Sequence, residues 1–361
     1  MPRTSVLLLA RGLGPGGMER LLVNQVRFGD RSNFDYSVAF VTETKHHLVP
    51  EFEALDVPVH WLSGAGRTWP VHLAELLRRG GFDVVHTHSP LVASVARPVA
   101  RTVRPRPRLV YTEHNSWGAY RGPTRLANRW TYRLDDTQIA VSRAAFDSVP
   151  PSLRGHVTVL DHGIDLDAVR AYSAQRAEAR ERLGAGDGDV VVGTVANFRP
   201  EKNYEGMVRI AGQVLEQRPT VRFVSIGQGP LLEEIRSQVD RAGLGGRFAC
   251  LGHQPDAPRL MAGFDVFVMT SHFEGLPVAF MEARALGLPV VTTAVGGLVD
   301  HVVDGEDGLL VTPGDDGEFV EALGRVLDDP TLRSALASAS AERGDDFDAR
   351  RVVRSIEAAY V

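Results

Sequence analysis

The sequence predicts an α/β protein made of two doubly wound domains, each with a parallel sheet covered by helices. Short apolar segments rich in β-branched residues alternate with segments of helical periodicity along the whole chain. The 361 residues exceed the usual size of a single hydrophobic core and suit two domains. A polar, charged stretch over residues 166–189 ends in a Gly/Asp-rich turn, after which a new apolar strand begins.

The strand candidates are continuous apolar runs, as is typical of parallel strands that are buried on both faces. They are SVLLLA, YSVAFV, DVVHTH, RLVYTE, TQIAVS and HVTVL in the first half, and DVVVGTV, VRFVSIG, FDVFVMT, PVVTT and GLLVTP in the second. Helical periodicity is clearest in MERLLVNQVRF, YEGMVRIAGQVLEQ, PLLEEIRSQVDRAG and GEFVEALGRVLDD. We expect domains over residues 1–165 and 190–345, with 166–189 as a linker. Ligands of doubly wound folds bind beyond the carboxyl ends of the strands, so the expected site is a cleft between the domains.

Composition restricts the class of protein. Hydrophobic residues make up 43% and charged residues 24%, the balance of a soluble globular chain. The single cysteine, Cys250, leaves no disulfide framework or cysteine-rich metal site and suits a reducing cytosol. The early apolar run at residues 6–10 is too short for a signal peptide or a membrane span. We therefore expect a cytoplasmic protein with no metal and no bound cofactor.

Charge is unevenly distributed along the chain. Residues 1–165 carry a formal charge of +5 and the remainder carries −10, which indicates that the first half meets something anionic. The segment 97–108 has five arginines and no acid, and Arg121, Arg125, Arg129 and Arg133 recur at every fourth position, as on one helix face. These arginines favour an anionic acceptor or contact with the inner face of an anionic membrane, and a solvated arginine-rich surface is the alternative. We expect no nucleic acid partner.

Two loops that follow strands are suited to bind phosphate. RGLGPGGMER places Gly16 and Gly17 directly before a helix, where bare backbone amides and the helix dipole favour an anion. The loop does not match the G-x-G-x-x-G or Walker patterns, and a simple tight turn is the alternative. ANFRPEKNYEG places Arg199 and Lys202 at the start of a helix, an arrangement that suits a diphosphate.

The segment SHFEGLPVAFMEARALGLPVV, residues 271–291, holds two carboxylates, Glu274 and Glu282, separated by seven residues. A helix that begins near Pro277 would direct its N-terminal amides toward the same cleft. Sugar and ribose hydroxyls need acceptors, whereas a diphosphate needs amide donors, so the combination suits a nucleotide sugar. Paired acids also occur in glycosidases, but the cationic loop favours a diphosphate ligand.

This segment resembles the Glu-x7-Glu signature region of retaining glycosyltransferases of the GT-B fold, the family 4 group. The segments GGMERLL, IAVS, GIDLDAV, PEKN, IGQGPLLEEI and FDARRVVRSIEAAY resemble further parts of the family in the same order. The resemblance implies an acceptor-binding N-terminal and a nucleotide-sugar-binding C-terminal Rossmann-like domain facing across a cleft. The last helix, over residues 346–361, would cross back to the first domain. The implied reaction moves a hexosyl group from a UDP- or GDP-sugar to a hydroxyl of a glycan, lipid-linked or small-molecule acceptor, with retention of configuration.

The resemblance also implies roles for individual residues. Glu274 would bind donor-sugar hydroxyls, Glu282 the ribose, and Lys202 the leaving phosphates, while His114 in YTEHNSW matches the cleft histidine of the family. Asn197 stands where the family has arginine, so Arg199 is expected to serve instead. The expected catalytic residues are His114, Arg199, Lys202 and Glu274, and the expected donor-binding residues are Gly16, Gly17, Asn197, Leu251, Gly275, Leu276, Val278 and Glu282. Leu251 is expected to follow a strand and to contact the base.

Three other functions share these features. A GT-B-type UDP-sugar epimerase would use the acids and histidines as proton-transfer groups. A catalytically silent nucleotide-sugar-binding protein would hold the donor without turnover. An inverting transferase would need a base near the acceptor, and His114 is the candidate.

Overall fold

The computed structural model of the chain describes residues 3–14, 16–62 and 68–361. It divides into two compact units, Met1–Ile164 with Ala349–Val361 and Asp165–Asp348. Each described unit contains a wholly parallel sheet with helices, which confirms the predicted fold class.

The sheet of the first unit has the strand order β3-β2-β1-β4-β5-β6-β7 among the described residues. Its strands are β1 Thr4–Ala10, β2 Phe34–Phe40, β3 Val59–Trp61, β4 Val84–Thr87, β5 Arg108–Glu113, β6 Thr137–Ala140 and β7 Val157–Val159. The helices before residue 164 are α1 Gly17–Phe28, α2 Val49–Glu53, α3 Trp69–Gly80, α4 Pro90–Arg101, α5 Gly122–Thr131 and α6 Arg143–Ser148.

The run VLLLA in β1 is fully buried because it lies inside this sheet. Val6 and Leu8 pack in the hydrophobic cluster on one face, and Leu7 and Leu9 pack in the cluster on the other. Side chains alternate between the faces of a strand, so a strand that is covered on both sides reads as a continuous apolar run.

The second unit has the strand order β10-β9-β8-β11-β12-β13 among the described residues. Its strands are β8 Val190–Val195, β9 Val221–Ile226, β10 Phe248–Gly252, β11 Val266–Met269, β12 Val290–Thr293 and β13 Leu309–Val311. Its helices are α7 Leu166–Ala171, α8 Arg176–Arg182, α9 Tyr204–Gln217, α10 Leu232–Arg241, α11 Ala257–Met261, α12 Val278–Ala285, α13 Leu298–His301, α14 Asp316–Asp328 and α15 Pro330–Gly344.

Residues 166–189 differ from the expected linker, because they form α7 and α8 within the second unit. Their charges have partners inside that unit: Arg180 Nη1 lies 2.9 Å from Asp265 Oδ2, and Arg176 donates to the carbonyl oxygen of Phe264 over 2.6 Å. The polar composition that indicated a linker therefore reflects arginines that bind the end of the sheet.

The chain ends with α16, Ala349–Ala358, which belongs to the first unit. Tyr36 donates a hydrogen bond to Glu357 Oε1 over 2.7 Å, and the Tyr360 hydroxyl lies 2.7 Å from His86 Nδ1. These buried contacts attach the C-terminal segment to β2 and β4. Within the described ranges, none of the helices has the length and apolar character that crossing a bilayer requires.

Candidate functional site

Lys202 and Glu274 meet in the second unit at the carboxyl ends of β8 and β11. Lys202 Nζ lies 2.5 Å from Glu274 Oε2, and Ser271 Oγ donates to Glu274 Oε1 over 2.6 Å. The Glu274 side chain is 4% exposed and that of Lys202 is 19% exposed. Burying a carboxylate is costly unless it is paired and hydrogen-bonded, and Lys202 and Ser271 provide both kinds of contact.

The loops that carry Lys202 and Glu274 are also joined by hydrogen bonds to backbone carbonyl oxygens. Thr270 Oγ1 donates to the carbonyl oxygens of Lys202 and Asn203 over 3.2 and 3.1 Å, and the His272 amide donates to the carbonyl oxygen of Glu201 over 2.8 Å. The Lys202–Glu274 contact therefore belongs to a fixed junction and does not depend only on the flexible lysine side chain.

Helix α12 begins directly after this junction, at Val278. Within the described ranges, the backbone amides of Gly275, Leu276 and Val278 donate to no backbone acceptor. Free amides at a helix N-terminus form an anion-binding position. Glu282 is the fifth residue of α12 and is half-buried.

Two internal contacts fix α12 and the loop before it. Arg284 is fully buried, and its Nη2 lies 2.8 Å from Asp307 Oδ1. The Gly297 amide donates to the carbonyl oxygen of Gly275 over 2.8 Å. Gly296 has a φ of +55°, and a Cβ there would overlap the carbonyl oxygen of Glu274, so the close approach requires glycine.

The loop after β8 carries Asn197 and Arg199, and both side chains are exposed. Phe198 between them is fully buried and stacks on Tyr204 with ring centroids 4.0 Å apart. Arg199 Nη1 lies 3.9 Å from Glu201 Oε1, a surface ion pair. That Arg199 takes the role of the arginine that the family has at the position of Asn197 stays a prediction.

Leu251 lies within β10 and not after a strand, which corrects the expectation from the sequence. The run FACLG lacks β-branched residues, and this weakened its strand signal. The Leu251 carbonyl oxygen accepts from Gln254 Nε2 over 3.2 Å, and the contact of Leu251 with the base stays a prediction.

In the first unit, α1 begins at Gly17 and Gly16 precedes it as the N-cap, whereas Pro15 lies outside the described residues. A Cβ on Gly16 would overlap the Glu19 carboxylate, so that side chain lies over the loop. Any anion at these amides must therefore share the position with a carboxylate or displace it.

His114 lies in the first unit within a cluster of histidines. His114 Nε2 is 3.1 Å from His88 Nδ1, and the His114 ring stacks on His162 with centroids 5.1 Å apart. The three rings line a pocket together with residues of α1 and α16, Gln25 and Val353 among them. Burial depresses the pKa of His114 to about 3, so its imidazole is neutral and can both donate and accept a hydrogen bond.

Glu113, the residue before His114, is fully buried. It accepts a hydrogen bond from Tyr111 over 2.9 Å and another from Tyr120, which lies in the loop that follows His114. Burial raises the pKa of Glu113 to about 7, against the lowering effect of the hydrogen bonds and the charge of Arg97. Glu113 therefore positions the loop that carries His114.

The variant Glu113→Gln should remove one pH dependence of folding. The carboxyl of the unfolded chain ionises near its ordinary pKa of 4.5 and that of the folded chain near about 7, so this group's contribution to the free energy of unfolding falls as pH rises through that window. The parent protein and the variant are unfolded in urea at several pH values from 4.5 to 8. The difference between their free energies of unfolding should change by on the order of 3 kcal/mol over this range.

The histidines act in the opposite direction, because burial lowers the pKa of His86 and His114 and stability is lost as pH falls below about 6.5. Comparison at equal pH removes their contribution from the difference between the two proteins. A difference that stays constant across the range would contradict the shifted pKa of Glu113.

Sequence reasoning missed several members of these groups: Ser271, Glu113, His88 and His162. Ser271 had a local signal, since it lies three residues before Glu274 in the same turn. The histidines come from three separate loops, and only the sheet order places β4 beside β5.

Comparisons with known proteins agree with this architecture. The family model described as glycosyl transferases group 1 matches residues 175–343, and the one described as glycosyltransferase family 4 matches residues 15–168. The chain is 31% identical over 306 residues to a D-inositol 3-phosphate glycosyltransferase of Frankia alni, covering 76% of this chain and 74% of the relative. It is 29% identical over 282 residues to the UDP-Gal:α-D-GlcNAc-diphosphoundecaprenol α-1,3-galactosyltransferase of Escherichia coli, covering 73% and 70%.

The solved structure of HepE from Anabaena in complex with UDP and glucose matches with a TM-score of 0.88 and 22% identity over 99% of each chain. The two Rossmann-like units together with this match define a protein of the GT-B fold, which confirms the predicted class. The chain belongs to the family of glycosyl transferases group 1 and is a glycosyltransferase.

Proposed function

We propose that the enzyme transfers a hexosyl group from a UDP- or GDP-sugar to an acceptor hydroxyl with retention of the anomeric configuration. The observation that carries the proposal is the contact of Lys202 with Glu274 beside the free amides that precede α12. A cation and amides suit a diphosphate, and a carboxylate suits sugar hydroxyls.

In the proposed complex Glu274 accepts hydrogen bonds from the transferred sugar. Its two oxygens offer about four lone-pair positions in total. Lys202 and Ser271 use part of this capacity, so the carboxylate can still accept from a hydroxyl. Glu282 accepts from the ribose, while the amides of Gly16 and Gly17 and the loop residue Asn197 approach the donor.

The proposed reaction breaks the bond between the anomeric carbon and the diphosphate oxygen. Lys202, Arg199 and the N-terminus of α12 stabilise the negative charge that develops on the leaving group. The acceptor oxygen forms the new bond on the face that the diphosphate leaves, and its proton passes to the departing phosphate oxygen. His114, neutral because of its burial, donates a hydrogen bond near the reacting sugar.

The names of the relatives support these assignments without fixing them. The E. coli enzyme is named for a UDP-sugar donor and a diphosphate-linked acceptor, and the Frankia alni enzyme for D-inositol 3-phosphate. HepE is described with UDP and glucose. A uridine donor and an acceptor with a phosphate group are therefore the first to test.

A thermal-shift panel of UDP- and GDP-sugars tests the proposal, followed by nucleotide-release assays with the stabilising donor and phosphate-bearing acceptors. We expect one donor to raise Tm and to be turned over to a product whose anomeric configuration, measured by NMR, equals that of the donor. An epimerised sugar without acceptor would establish the epimerase. Stabilisation without nucleotide release would establish a silent binding protein, and an inverted product would overturn retention.

A further inference from the structure

Helix α5 presents charged and apolar side chains to solvent on one side. Arg121, Arg125 and Arg129 are exposed, and beside them Leu126 is 58% and Trp130 80% exposed. An exposed tryptophan of this degree is unusual for a residue that normally buries most of its ring.

The helical period separates these side chains into two adjacent lines. Residues four apart on a helix lie nearly above one another, so Arg125 and Arg129 form one line, and Arg121 is the residue directly before the helix. Leu126 and Trp130 each follow an arginine by one position, about 100° around the helix, and form the second line. The opposite side carries the buried Asn128, whose Oδ1 accepts from Arg97 Nη1 over 2.7 Å and fixes which face points outward.

The arginines on this face have no acidic partner in the part of the chain that the structure describes. No aspartate or glutamate occurs between Glu113 and Asp135 in the sequence. Within the described ranges, Arg121, Arg125 and Arg129 form no ion pair. A cationic face of this kind complements an anionic surface.

The other arginine-rich segment, residues 97–108, behaves differently. Arg97 is buried with Asp135 at 2.8 Å, Arg106 pairs with Asp136 at 2.7 Å, and Arg108 donates to the carbonyl oxygen of Ala359 over 2.9 Å. The side chains of these arginines already have partners within the protein. The two segments look alike in the sequence, but the free cationic surface lies at α5.

We propose that the outer face of α5 binds the headgroup region of an anionic bilayer, with Leu126 and Trp130 inserted at its surface. A soluble anion needs only the arginines, whereas the paired line of leucine and tryptophan suits the boundary between headgroups and acyl chains. Tryptophan is enriched at that boundary because its ring is apolar and its N–H finds polar partners. The inference goes beyond sugar transfer and can be tested independently of it.

Co-sedimentation of the full chain with vesicles of phosphatidylcholine alone and of phosphatidylcholine with about 30% phosphatidylglycerol tests the proposal, since anionic lipid is what the surface recognises. We expect binding only to the anionic vesicles, weakening with salt. The variant Arg125→Glu/Arg129→Glu should lose at least about tenfold in partition coefficient. The variant Leu126→Ser/Trp130→Ser, which changes no charge, should also lose about tenfold.

The matched control is Arg78→Glu/Arg79→Glu on α3, which changes net charge equally at another exposed surface of the same unit. It should retain binding within about twofold, as expected for a distant charge screened by salt. Thermal unfolding checks that each variant is folded.

A parent protein that does not bind the anionic vesicles overturns the proposal. An equal loss of vesicle binding in Arg78→Glu/Arg79→Glu would show that only net charge matters, and this would also overturn the proposal. If the Leu126/Trp130 variant binds like the parent while the α5 reversal does not, the arginines bind the headgroups by charge alone, and the proposed insertion is wrong. A shift of tryptophan emission to shorter wavelength on anionic vesicles, lost in Trp130→Phe, would support insertion directly.

Discussion

Replacing Lys202 by alanine should lower turnover by roughly a hundredfold or more, because in the proposed reaction the leaving diphosphate loses a preorganised cation. The cation is held before substrate arrives: Lys202 Nζ contacts Glu274 at 2.5 Å, and its loop is bonded to the loop after β11. Little reorganisation is then needed during the reaction, which is the condition under which a charge contributes most. Steady-state nucleotide release with the donor found in the thermal-shift panel measures the effect.

The same substitution has a consequence for stability that must be separated from catalysis. Without the ammonium, the nearly buried Glu274 keeps only Ser271 as a partner among the residues that the structure describes, and a buried carboxylate without a cation destabilises the fold. Adding Glu274→Gln to Lys202→Ala should therefore raise the free energy of unfolding above that of the single variant. Turnover should stay low in the double variant. If Lys202→Ala keeps parental turnover, the role of Lys202 at the leaving group is wrong.

The sequence predicted most of the architecture because buried parallel strands and amphipathic helices have strong local signatures. VLLLA in β1 and MERLLVNQVRF in α1 are examples, and both formed as expected. The three-residue strand β3 was missed, since so short an edge strand has almost no periodicity. Residues 166–189 were misread because composition shows that arginines are polar but not that Asp265 is available to pair with them.

Some contacts of the candidate site could be predicted from local sequence spacing, and others only from the order of the strands in the sheet. The proximity of Glu274 to the start of α12 follows from local spacing, and the sequence shows it. The contact of Glu274 with Lys202 needs β8 and β11 to be neighbours, which only the sheet order establishes. The same holds for His88 and His114, and for the difference between the paired arginines at 97–108 and the free ones on α5.

The variant Gly296→Ala should damage the proposed donor site from a position that carries no functional group. Gly296 has a φ of +55°, and a Cβ would overlap the carbonyl oxygen of Glu274, which is backbone and cannot move aside alone. The segment bearing Glu274 and the free amides before α12 must shift. Displacement of such groups by about 1 Å can cost about a hundredfold in rate.

Gly305→Ala is the matched control for this prediction, because Gly305 has a φ of +79° but nothing within 4 Å of a built Cβ. It should lower the free energy of unfolding by about 1 kcal/mol, because alanine is less stable than glycine in the left-handed conformation. Turnover should be unchanged. Gly296→Ala should lower the free energy of unfolding by about 3 kcal/mol or more, since steric overlap adds to the same backbone penalty. Urea unfolding and nucleotide release of both variants separate the effect of the left-handed backbone from the effect of the steric overlap with Glu274. Equal effects in the two variants would mean that the backbone conformation alone matters and that the close approach to Glu274 does not position the site.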